Sequence, residues 1–310
     1  MKISIIEPLQ LDKEIVLDKF SEIDADIDYY EDKPDNKDEK IKRCEDSEII
    51  VLVDEEIDSE VMDKLEYLQL IAVSFTGYDH IDIDIAEKND IAVVNVPEYA
   101  TTAVAELVFG FAINLLRDIR IGDMVVRSKR DVNRKDIKGN ELSGKTLGII
   151  GTGNIGSKVA EFGKLFGMKV FAYSRSKNTK ITDFVDYKDM DEVFKESDLV
   201  SLNIPLTDET EGIVGEDELS IMKEGSVLIN TARAGVIDKH AFINNVKKGK
   251  IQFGIDIPHE DLPEDVLKSD NVVYTPHVGY YTEEALKRRL EVTVNNIDKF
   301  LEGDEENRIV

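Results

Sequence analysis

The stretch TLGIIGTGNIG, residues 146–156, joins an apolar run to three glycines spaced as G-x-G-x-x-G. The run predicts a strand, and the apolar spacing of 155–166 predicts a helix directly after the turn. In such a unit Gly151 permits a tight turn, Gly153 lets the backbone approach a pyrophosphate, and Gly156 lets helix and strand pack closely. The stretch therefore predicts a dinucleotide site, with an ordinary tight strand–helix turn as the alternative.

Apolar runs of strand length flank this unit on both sides. Strands are predicted at 2–6, 48–53, 68–74 and 91–96, and again at 169–173, 199–204, 226–232, 251–257 and 271–275. Further helices are predicted at 216–223, 238–248 and 283–301. Buried strands separated by helices are typical of parallel sheets covered on both faces. The sequence therefore predicts an α/β protein with two doubly wound parallel-sheet lobes, the second beginning near residue 100.

Three segments depart from this alternation. Residues 28–46 are the most polar part and are interpreted as a loop and a solvated helix. Residues 101–116 are apolar nearly all round, which predicts a long buried helix at a contact between domains or subunits. Residues 127–145 are polar and basic and predict a loop between the lobes.

The 310 residues carry 39 basic and 65 acidic side chains, a net charge of −26. Phosphate backbones and anionic lipid surfaces repel such a chain, so we expect neither a nucleic acid nor a membrane as partner. The sequence has no signal-peptide pattern and no apolar run of bilayer length, so we expect a cytoplasmic protein. Cys44 is the only cysteine and no histidine pair has ligand spacing, so we expect neither a disulfide nor a metal site.

The residues after the predicted strand 169–173 bear on the choice of dinucleotide. An acidic residue there would bond the ribose 2′-hydroxyl, whereas an arginine suits a 2′-phosphate. The sequence has Ser174 and Arg175 with no carboxylate, and the planar arginine fork matches a phosphate. This favours NADP(H) over NAD(H). The alternatives are that Arg175 is a surface arginine or lies over the adenine.

Arg233 and His277 each follow a predicted strand, at the edge where parallel α/β sheets bind ligands. The guanidinium of Arg233 suits an anionic substrate, with an ordinary salt bridge as the alternative. The imidazole of His277 can deliver a proton near neutral pH, although a lone loop histidine is more often structural. A neighbouring carboxylate would help to keep it protonated, and the candidates are Asp256, Glu260 and Asp261.

Together these residues resemble one known family, the D-isomer-specific 2-hydroxyacid dehydrogenases. The motifs that carry the resemblance are VSFTGYDHID (73–82), VPEYATTAVAE (96–106), GTGNIG (151–156), LNIPLTDET (202–210), NTARAG (230–235) and TPHVG (275–279). They occur in the family's order and span nearly the whole chain. Linked motifs are far more specific than a single glycine turn.

The resemblance implies a Rossmann nucleotide-binding domain, residues 100–283, inserted into a flavodoxin-like substrate domain formed by 1–99 and 284–310. It implies an NAD(P)-dependent oxidoreductase that transfers a hydride between the cofactor and a small 2-keto or D-2-hydroxy acid. The active site is expected in the cleft. Family members are usually homodimers joined largely through the nucleotide domains, and segment 101–116 fits such a contact.

The resemblance also implies roles for individual residues. Arg233 binds the carboxylate and carbonyl of the substrate, and His277 donates or accepts the proton. An acidic side chain hydrogen-bonds His277, and the amides near Thr76 and Gly77 hold the substrate carboxylate. The implied cofactor contacts are Gly151, Gly153, Asn154, Ile155, Gly156, Ser174, Arg175, Ile204, Pro205, Thr210, Thr231, Ala232, Arg233, Asp256, His277 and Gly279.

Two positions depart from the family pattern. The family glutamate stands five residues after the aspartate that matches Asp256, and Asp261 occupies that place here, with Glu260 one position early. We assign the acidic role to Glu260 because of its longer reach, with Asp261 as the alternative. The second departure is Ser174, where relatives that use NAD have aspartate.

Tyr99 and Tyr280 are placed as in D-lactate dehydrogenases. Tyr280 would then lie near the substrate side chain and favour a small or apolar group, whereas simple packing is the alternative for both tyrosines. The sequence thus predicts an enzyme similar to D-lactate dehydrogenases or to glyoxylate and hydroxypyruvate reductases. The alternatives are a nucleotide-sensing binding protein of the same fold without significant turnover, and a methyltransferase, which would leave Arg233 and His277 unexplained.

Overall fold

The computed structural model describes residues 1–129 and 137–310. They divide into two compact units. Unit 1 consists of Met1–Ala100 and Tyr281–Val310, and unit 2 is Thr101–Tyr280. Unit 2 therefore lies, in the chain, between the two segments of unit 1. The loop expected at 127–145 falls partly on 130–136, which lie outside the described residues.

Unit 1 contains a sheet whose described strands are all parallel, in the order β2-β1-β3-β4-β5. The strands are β1 (Lys2–Ile5), β2 (Asp26–Tyr29), β3 (Ile49–Leu52), β4 (Leu70–Val73) and β5 (Ala92–Val94). The helices are α1 (Lys13–Phe20), α2 (Lys37–Cys44), α3 (Ser59–Met62), α4 (Ile83–Lys88) and α12 (Glu283–Glu302). Every residue of β3 and β4 is buried, so the two strands read as continuous apolar runs. The strand order is that of flavodoxin-like sheets.

Unit 2 contains a second sheet of parallel strands, in the order β8-β7-β6-β9-β10-β11-β12 for the described residues. The strands are β6 (Thr146–Ile150), β7 (Lys169–Tyr173), β8 (Val185–Tyr187), β9 (Leu199–Leu202), β10 (Val227–Asn230), β11 (Gln252–Ile255) and β12 (Val272–Tyr274). The helices are α5 (Thr101–Leu116), α6 (Ile119–Arg127), α7 (Asn154–Leu165), α8 (Met190–Glu196), α9 (Glu216–Ile221), α10 (Lys239–Lys248) and α11 (Glu264–Leu267). The first six strands follow the Rossmann order.

Helix ends are set by local side chains. Thr282 Oγ1 accepts a hydrogen bond from the Ala285 amide at the start of α12, and Asp238 Oδ1 does the same for Ala241 at the start of α10. Gly303 ends α12 in the left-handed region at φ 81°. These caps define where α10 and α12 begin and where α12 ends.

The α/β class with two parallel sheets is confirmed. The structure adds two strands that were not predicted. Residues 28–46 were expected to hold only a loop and a helix, but their first two residues belong to β2, and β8 was not predicted at all. Both are short edge strands in which aspartates interrupt the apolar residues, so neither shows a continuous apolar run.

Helix α5 has the bounds predicted from its apolar run. Its buried residues, including Val108, Phe111 and Leu115, pack in the core of unit 2 with Leu147 and Val159. The core of its own unit therefore accounts for most of its apolar character. No helix in the described part of the chain is long and apolar enough to cross a bilayer.

Candidate functional site

The glycine turn between β6 and α7 has the geometry that its sequence requires. Gly151 has φ 90°, and a Cβ there would lie 2.6 Å from Asn203 O. A Cβ on Gly156 would overlap the carbonyl oxygen of Gly151, so only glycine lets α7 approach β6 this closely. A Cβ on Gly153 would meet nothing within 4 Å. Gly153 is also the N-cap of α7, and it has no side chain to accept from the first helical amides.

The loops after β7 and β9 border this turn. The amide of Thr152 donates to Ser174 Oγ at 3.4 Å, which ties the residue after β7 to the turn. The guanidinium of Arg175 pairs with Glu209 at 2.8 Å, and both side chains are 74% exposed. After β9, a Cβ on Gly151 would lie 2.6 Å from Ile204, and Thr210 Oγ1 donates to Pro205 O at 2.6 Å. Of the predicted cofactor residues, Ser174 and Ile204 therefore lie beside the glycine turn, and Arg175, Pro205 and Thr210 belong to the same two loops.

A set of unpredicted polar side chains holds the loop after β7 in place. Asn178 Nδ2 donates to Ser157 Oγ at 2.8 Å and to the Thr152 carbonyl at 3.3 Å. The Tyr187 hydroxyl donates to Thr152 Oγ1 at 3.1 Å and accepts from the Asn178 amide at 2.9 Å. Lys177 Nζ lies 5.5 Å from the ring centroid of the same tyrosine. Lys177 thus adds a second exposed cation beside Arg175.

Arg233 directly follows the segment Thr231-Ala232 that leaves β10. Its backbone is extended, with φ −146° and ψ 146°, and a 3-10 turn follows at Ala234–Val236. Asn230 holds the backbone of the segment that follows β10. Its Nδ2 donates to Arg233 O at 2.8 Å, and its Oδ1 accepts from the Ala232 amide at 3.0 Å. The half-buried Arg233 side chain donates from Nη1 to Ala232 O at 2.9 Å. Asn230 was not among the predicted site residues, although its place directly before Thr-Ala-Arg was a signal.

His277 lies in a loop that a buried carboxylate holds. Asp256, at the end of β11, is 2% exposed. Its Oδ1 accepts from Thr275 Oγ1 at 2.6 Å and from the Val278 amide at 2.9 Å, and its Oδ2 accepts from the Gly279 amide at 2.9 Å. The amide of His277 itself donates to the Asp256 carbonyl at 2.7 Å. We name this set of four hydrogen bonds the Asp256 clamp.

The Asp256 clamp sets the backbone of His277. The residue has φ 54°, in the left-handed region, which histidine, asparagine and aspartate adopt more readily than most residues. A Cβ on Gly279 would lie 2.8 Å from Asp256 Oδ2, so glycine is required for the loop to close on the carboxylate. The His277 ring meets Tyr280 edge to face, with centroids 5.6 Å apart. We expected Asp256 as a cofactor contact, and the structure shows its carboxylate bonded to this loop.

The acidic loop after β11 carries Glu260 and Asp261, which are both exposed. Asp261 has φ 52°. The ring of the preceding His259 lies 5.9 Å from that of Phe242 on α10. Burial lowers the pKa of His259, with the charge of Lys239 acting in the same direction, so its neutral form is favoured. None of the sequence motifs named above includes His259.

Unit 1 holds the remaining predicted residues, Thr76, Gly77 and Tyr99. Thr76 Oγ1 donates to Val96 O at 2.8 Å, and Thr76 O accepts from Asn95 Nδ2 at 2.8 Å. Tyr99 is 3% exposed, and its ring lies 6.0 Å from that of Phe75. Thr76 and Gly77 follow β4, at the carboxyl edge of the sheet of unit 1.

In unit 2 the structure brings several predicted residues to one sheet edge. Arg233, Asp256 and His277 follow β10, β11 and β12, which are neighbouring parallel strands. The glycine turn follows β6, on the other side of β9 in the same sheet. Among the described residues, no group of three or more histidine, cysteine or acidic side chains could hold a metal ion. A guanidinium, an imidazole and a helix N-terminus therefore share the carboxyl edge at which such sheets bind ligands.

Known proteins share this sequence and fold. The family model "D-isomer specific 2-hydroxyacid dehydrogenase, NAD binding domain" matches residues 109–279. A glyoxylate reductase of Thermococcus litoralis is 38% identical over 267 residues, which cover 83% of this chain and 81% of that protein. The structure of an acyclic imino acid reductase in complex with NADPH and D-Arg has a TM-score of 0.91 and 33% identity, and the match covers 100% of both chains. The structure of a D-lactate dehydrogenase of Aquifex aeolicus complexed with NAD and lactic acid has a TM-score of 0.85 and 31% identity, covering 100% of this chain and 99% of that one.

The resemblance found in the sequence motifs is thereby confirmed. The family model spans more than half of the chain, and the glyoxylate reductase extends the similarity into unit 1. The Rossmann order of the sheet and the glycine turn agree with a nicotinamide dinucleotide as cofactor. The chain belongs to the D-isomer-specific 2-hydroxyacid dehydrogenase family and is an oxidoreductase of 2-hydroxy acids that uses a nicotinamide cofactor.

Proposed function

We propose that this enzyme reduces small 2-keto acids to D-2-hydroxy acids in the cytoplasm, with NADPH preferred over NADH. Unit 2 serves as the dinucleotide-binding domain and unit 1 as the substrate domain. The observation that carries the proposal is the Asp256 clamp, which holds the His277 loop at the same sheet edge as Arg233 and the glycine turn.

The residues of unit 2 fit a dinucleotide. The space beside Gly153 and the first amides of α7 suit a pyrophosphate, because a helix N-terminus attracts anions. Asn154 and Ile155 carry the first of these amides. The proposal assigns the other contacts to the loops after β7, β9, β10, β11 and β12, at Ser174, Arg175, Ile204, Pro205, Thr210, Thr231, Ala232, Asp256 and Gly279.

Arg233 and His277 are the proposed catalytic residues. A bound reduced nicotinamide supplies the hydride to C2 of the keto acid. Negative charge then develops on the C2 oxygen, and the Arg233 guanidinium stabilises it while also binding the substrate carboxylate. His277 donates the proton to that oxygen, and it accepts the proton in the reverse reaction. The proposal assigns the carboxylate that supports His277 to Glu260, with Asp261 as the alternative.

Four residues are proposed to bind the substrate. Thr76 and Gly77 follow β4, and their amides are assigned to the substrate carboxylate. Tyr99 and Tyr280 are assigned to its side chain, where an aromatic wall favours a small or apolar group. The edge contact of Tyr280 with the His277 ring supports this assignment, because it places Tyr280 beside the proposed proton donor.

The cofactor preference depends on the loop after β7. Replacing Arg175 by alanine is expected to raise the KM for NADPH by about 10- to 100-fold, the loss of a charge-assisted hydrogen bond to the 2′-phosphate. The KM for NADH should change little. The exposed pair with Glu209 contributes little stability, so the variant should fold normally. The measurement is the KM for each cofactor at saturating keto acid.

Lys268→Ala is the matched control for Arg175→Ala, because Lys268 is a cationic residue of unit 2 that is 73% exposed and also in an ion pair. It should leave both KM values unchanged. If Arg175→Ala raises the KM of NADPH and NADH equally, Arg175 does not read the 2′-phosphate.

We propose a homodimer joined through unit 2. Helix α6 buries none of its residues and exposes Ile119, Met124 and Val126, the last at 77%. Val126→Glu is expected to shift the protein from dimer to monomer in sedimentation velocity, because a charge in an apolar interface is left without a partner. Leu301→Glu, at an exposed residue of α12, is the control and should remain dimeric. A wild-type protein that sediments as a monomer at micromolar concentration would exclude the dimer.

The decisive experiment is a matrix of rates with NADPH and NADH against pyruvate, glyoxylate, hydroxypyruvate and branched 2-keto acids. Ammonium and methylamine form a second set of conditions, because the imino acid reductase of similar structure makes imine reduction a second candidate. An amino acid product that requires added amine would replace the keto acid proposal. Cofactor binding with no turnover in any condition would favour a sensing protein.

A further inference from the structure

The sheet of unit 1 has a point at which its strand order reverses, apart from the residues assigned above. In the order β2-β1-β3-β4-β5 the winding reverses between β1 and β3. In open parallel sheets a crevice forms at such a reversal, outside the carboxyl ends of the two strands. The residues that leave these strands are Ile6-Glu7-Pro8 after β1 and Val53-Asp54-Glu55 after β3.

The crevice contains the carboxylate of Glu7, which is 1% exposed. Its Oε1 accepts hydrogen bonds from three successive amides, those of Val53 at 2.7 Å, Asp54 at 2.9 Å and Glu55 at 2.9 Å. Successive backbone N–H groups that point at one spot form a concave anion site. The chain therefore builds an anion site and fills it with its own side chain.

A cationic side chain also faces this carboxylate. Lys33 Nζ lies 3.5 Å from Glu7 Oε2, and it pairs with Asp54 as well. Lys40 Nζ pairs with Glu55 at 2.9 Å, so the last of the three residues is also held by an ion pair. Burial and the nearby Asp54 carboxyl raise the pKa of Glu7, whereas the three amide donors lower it. All three amides donate to the same carboxylate oxygen of Glu7, Oε1.

The segment that Glu7 holds runs beside the residues assigned to the substrate. The amide of Ser74 donates to Leu52 O at 2.7 Å, before the held segment, and the amide of Ile57 donates to His80 O at 3.0 Å, after it. Thr76 and Gly77 lie between Ser74 and His80. A displaced Val53–Glu55 segment would therefore move a neighbour of the substrate loop.

We propose that Glu7 is a positioning residue, whose carboxylate fills the anion site formed by the amides of Val53–Glu55 and so fixes that segment beside Thr76 and Gly77. Without this carboxylate, the site accepts a small free carboxylate such as formate. The anion site stands on the geometry of unit 1 alone, whereas the effect on substrate binding rests on the proposed function.

The first test is thermal unfolding of the full chain in sodium formate against sodium chloride at equal ionic strength. Glu7→Ala is expected to lower the Tm in chloride. Formate at several times its dissociation constant should then raise the Tm of this variant by about 2–4 °C more than chloride does. Wild type and Glu7→Gln should show no such difference, because their side chains fill the site.

Glu48→Ala is the matched control, because Glu48 also accepts a backbone hydrogen bond, from the Lys2 amide, at the opposite edge of the same sheet. It should not respond to formate. If Glu7→Ala fails to fold in chloride, its refolding yield in formate against chloride gives the same readout. An equal response of Glu7→Ala and wild type in either assay overturns the anion site.

The second test is kinetic. Glu7→Ala is expected to raise the KM for the keto acid by about 3- to 10-fold, the effect of one displaced hydrogen bond, with a smaller change in kcat. Formate should restore part of the KM in this variant only. An unchanged KM overturns the positioning role. A wild type without turnover on any keto acid refutes the proposed function and this kinetic role, while the unfolding result still decides the anion site.

Discussion

Replacing His277 by asparagine is expected to lower kcat for keto acid reduction by about 10²- to 10⁴-fold, the usual contribution of a positioned general acid. The KM for NADPH should change little. Asparagine is the appropriate replacement because His277 has φ 54°, and asparagine tolerates the left-handed region. The Asp256 clamp bonds only the backbone of residues 277–279 and the Thr275 hydroxyl, so it survives the change.

The rate of the His277 variant should also lose its dependence on one ionising group. The pH profile of kcat/KM for wild type should show a limb at which the free enzyme loses the proton that it must donate. In His277→Asn this limb should vanish. His240→Asn is the control, because His240 is an exposed histidine of the same unit, on α10. A variant of His277 that keeps both the rate and the limb would show that another group donates the proton.

Replacing Arg233 by alanine is expected to lower kcat/KM by about 10²- to 10³-fold or more, because in the proposed mechanism one side chain both binds the carboxylate and stabilises the developing oxyanion. Lysine at this position keeps the charge but loses the planar fork, so Arg233→Lys should recover only a minor part. The backbone should stay in place in both variants, because Asn230 holds Ala232 and Arg233 through main-chain atoms.

Chemical rescue separates the Arg233 effect from misfolding. Millimolar guanidinium ion should restore part of the activity of Arg233→Ala, because it can occupy the vacated position, and it should not restore His277→Asn. Imidazole is the reciprocal control. Full activity of Arg233→Ala without additive would place the substrate carboxylate on another group.

The sequence was sufficient for the parts of the fold that are buried on both sides. Strands such as β3, β6 and β10 are short apolar runs because helices cover both faces of each sheet. The edge strands β2 and β8 escaped prediction because aspartates interrupt their apolar residues, Asp26 and Asp28 in β2 and Asp186 in β8. Helix α5 was predicted to its last residue, but its apolar residues serve the core of unit 2.

The sequence also pointed to site residues that sit directly after a strand, since strand ends meet at one sheet edge. It could not give hydrogen-bond partners that are distant in the chain. Asp256 and Gly279 are one such pair, and Glu7 with Val53 is another. Nor could the sequence decide which carboxylate supports His277. Glu260 and Asp261 are adjacent, and their side chains differ in length by a single methylene group.

The Asp256 clamp has a consequence for the time course of each catalytic cycle. All four of its hydrogen bonds join β11 to the segment just after β12, two strands that are already paired within one sheet. The loop that bears the His277 imidazole is thus ordered once, when the polypeptide folds. For the proposed proton donor, this ordering need not be repeated at every turnover, which is the advantage of a preorganised acid over one that a closing loop brings into place.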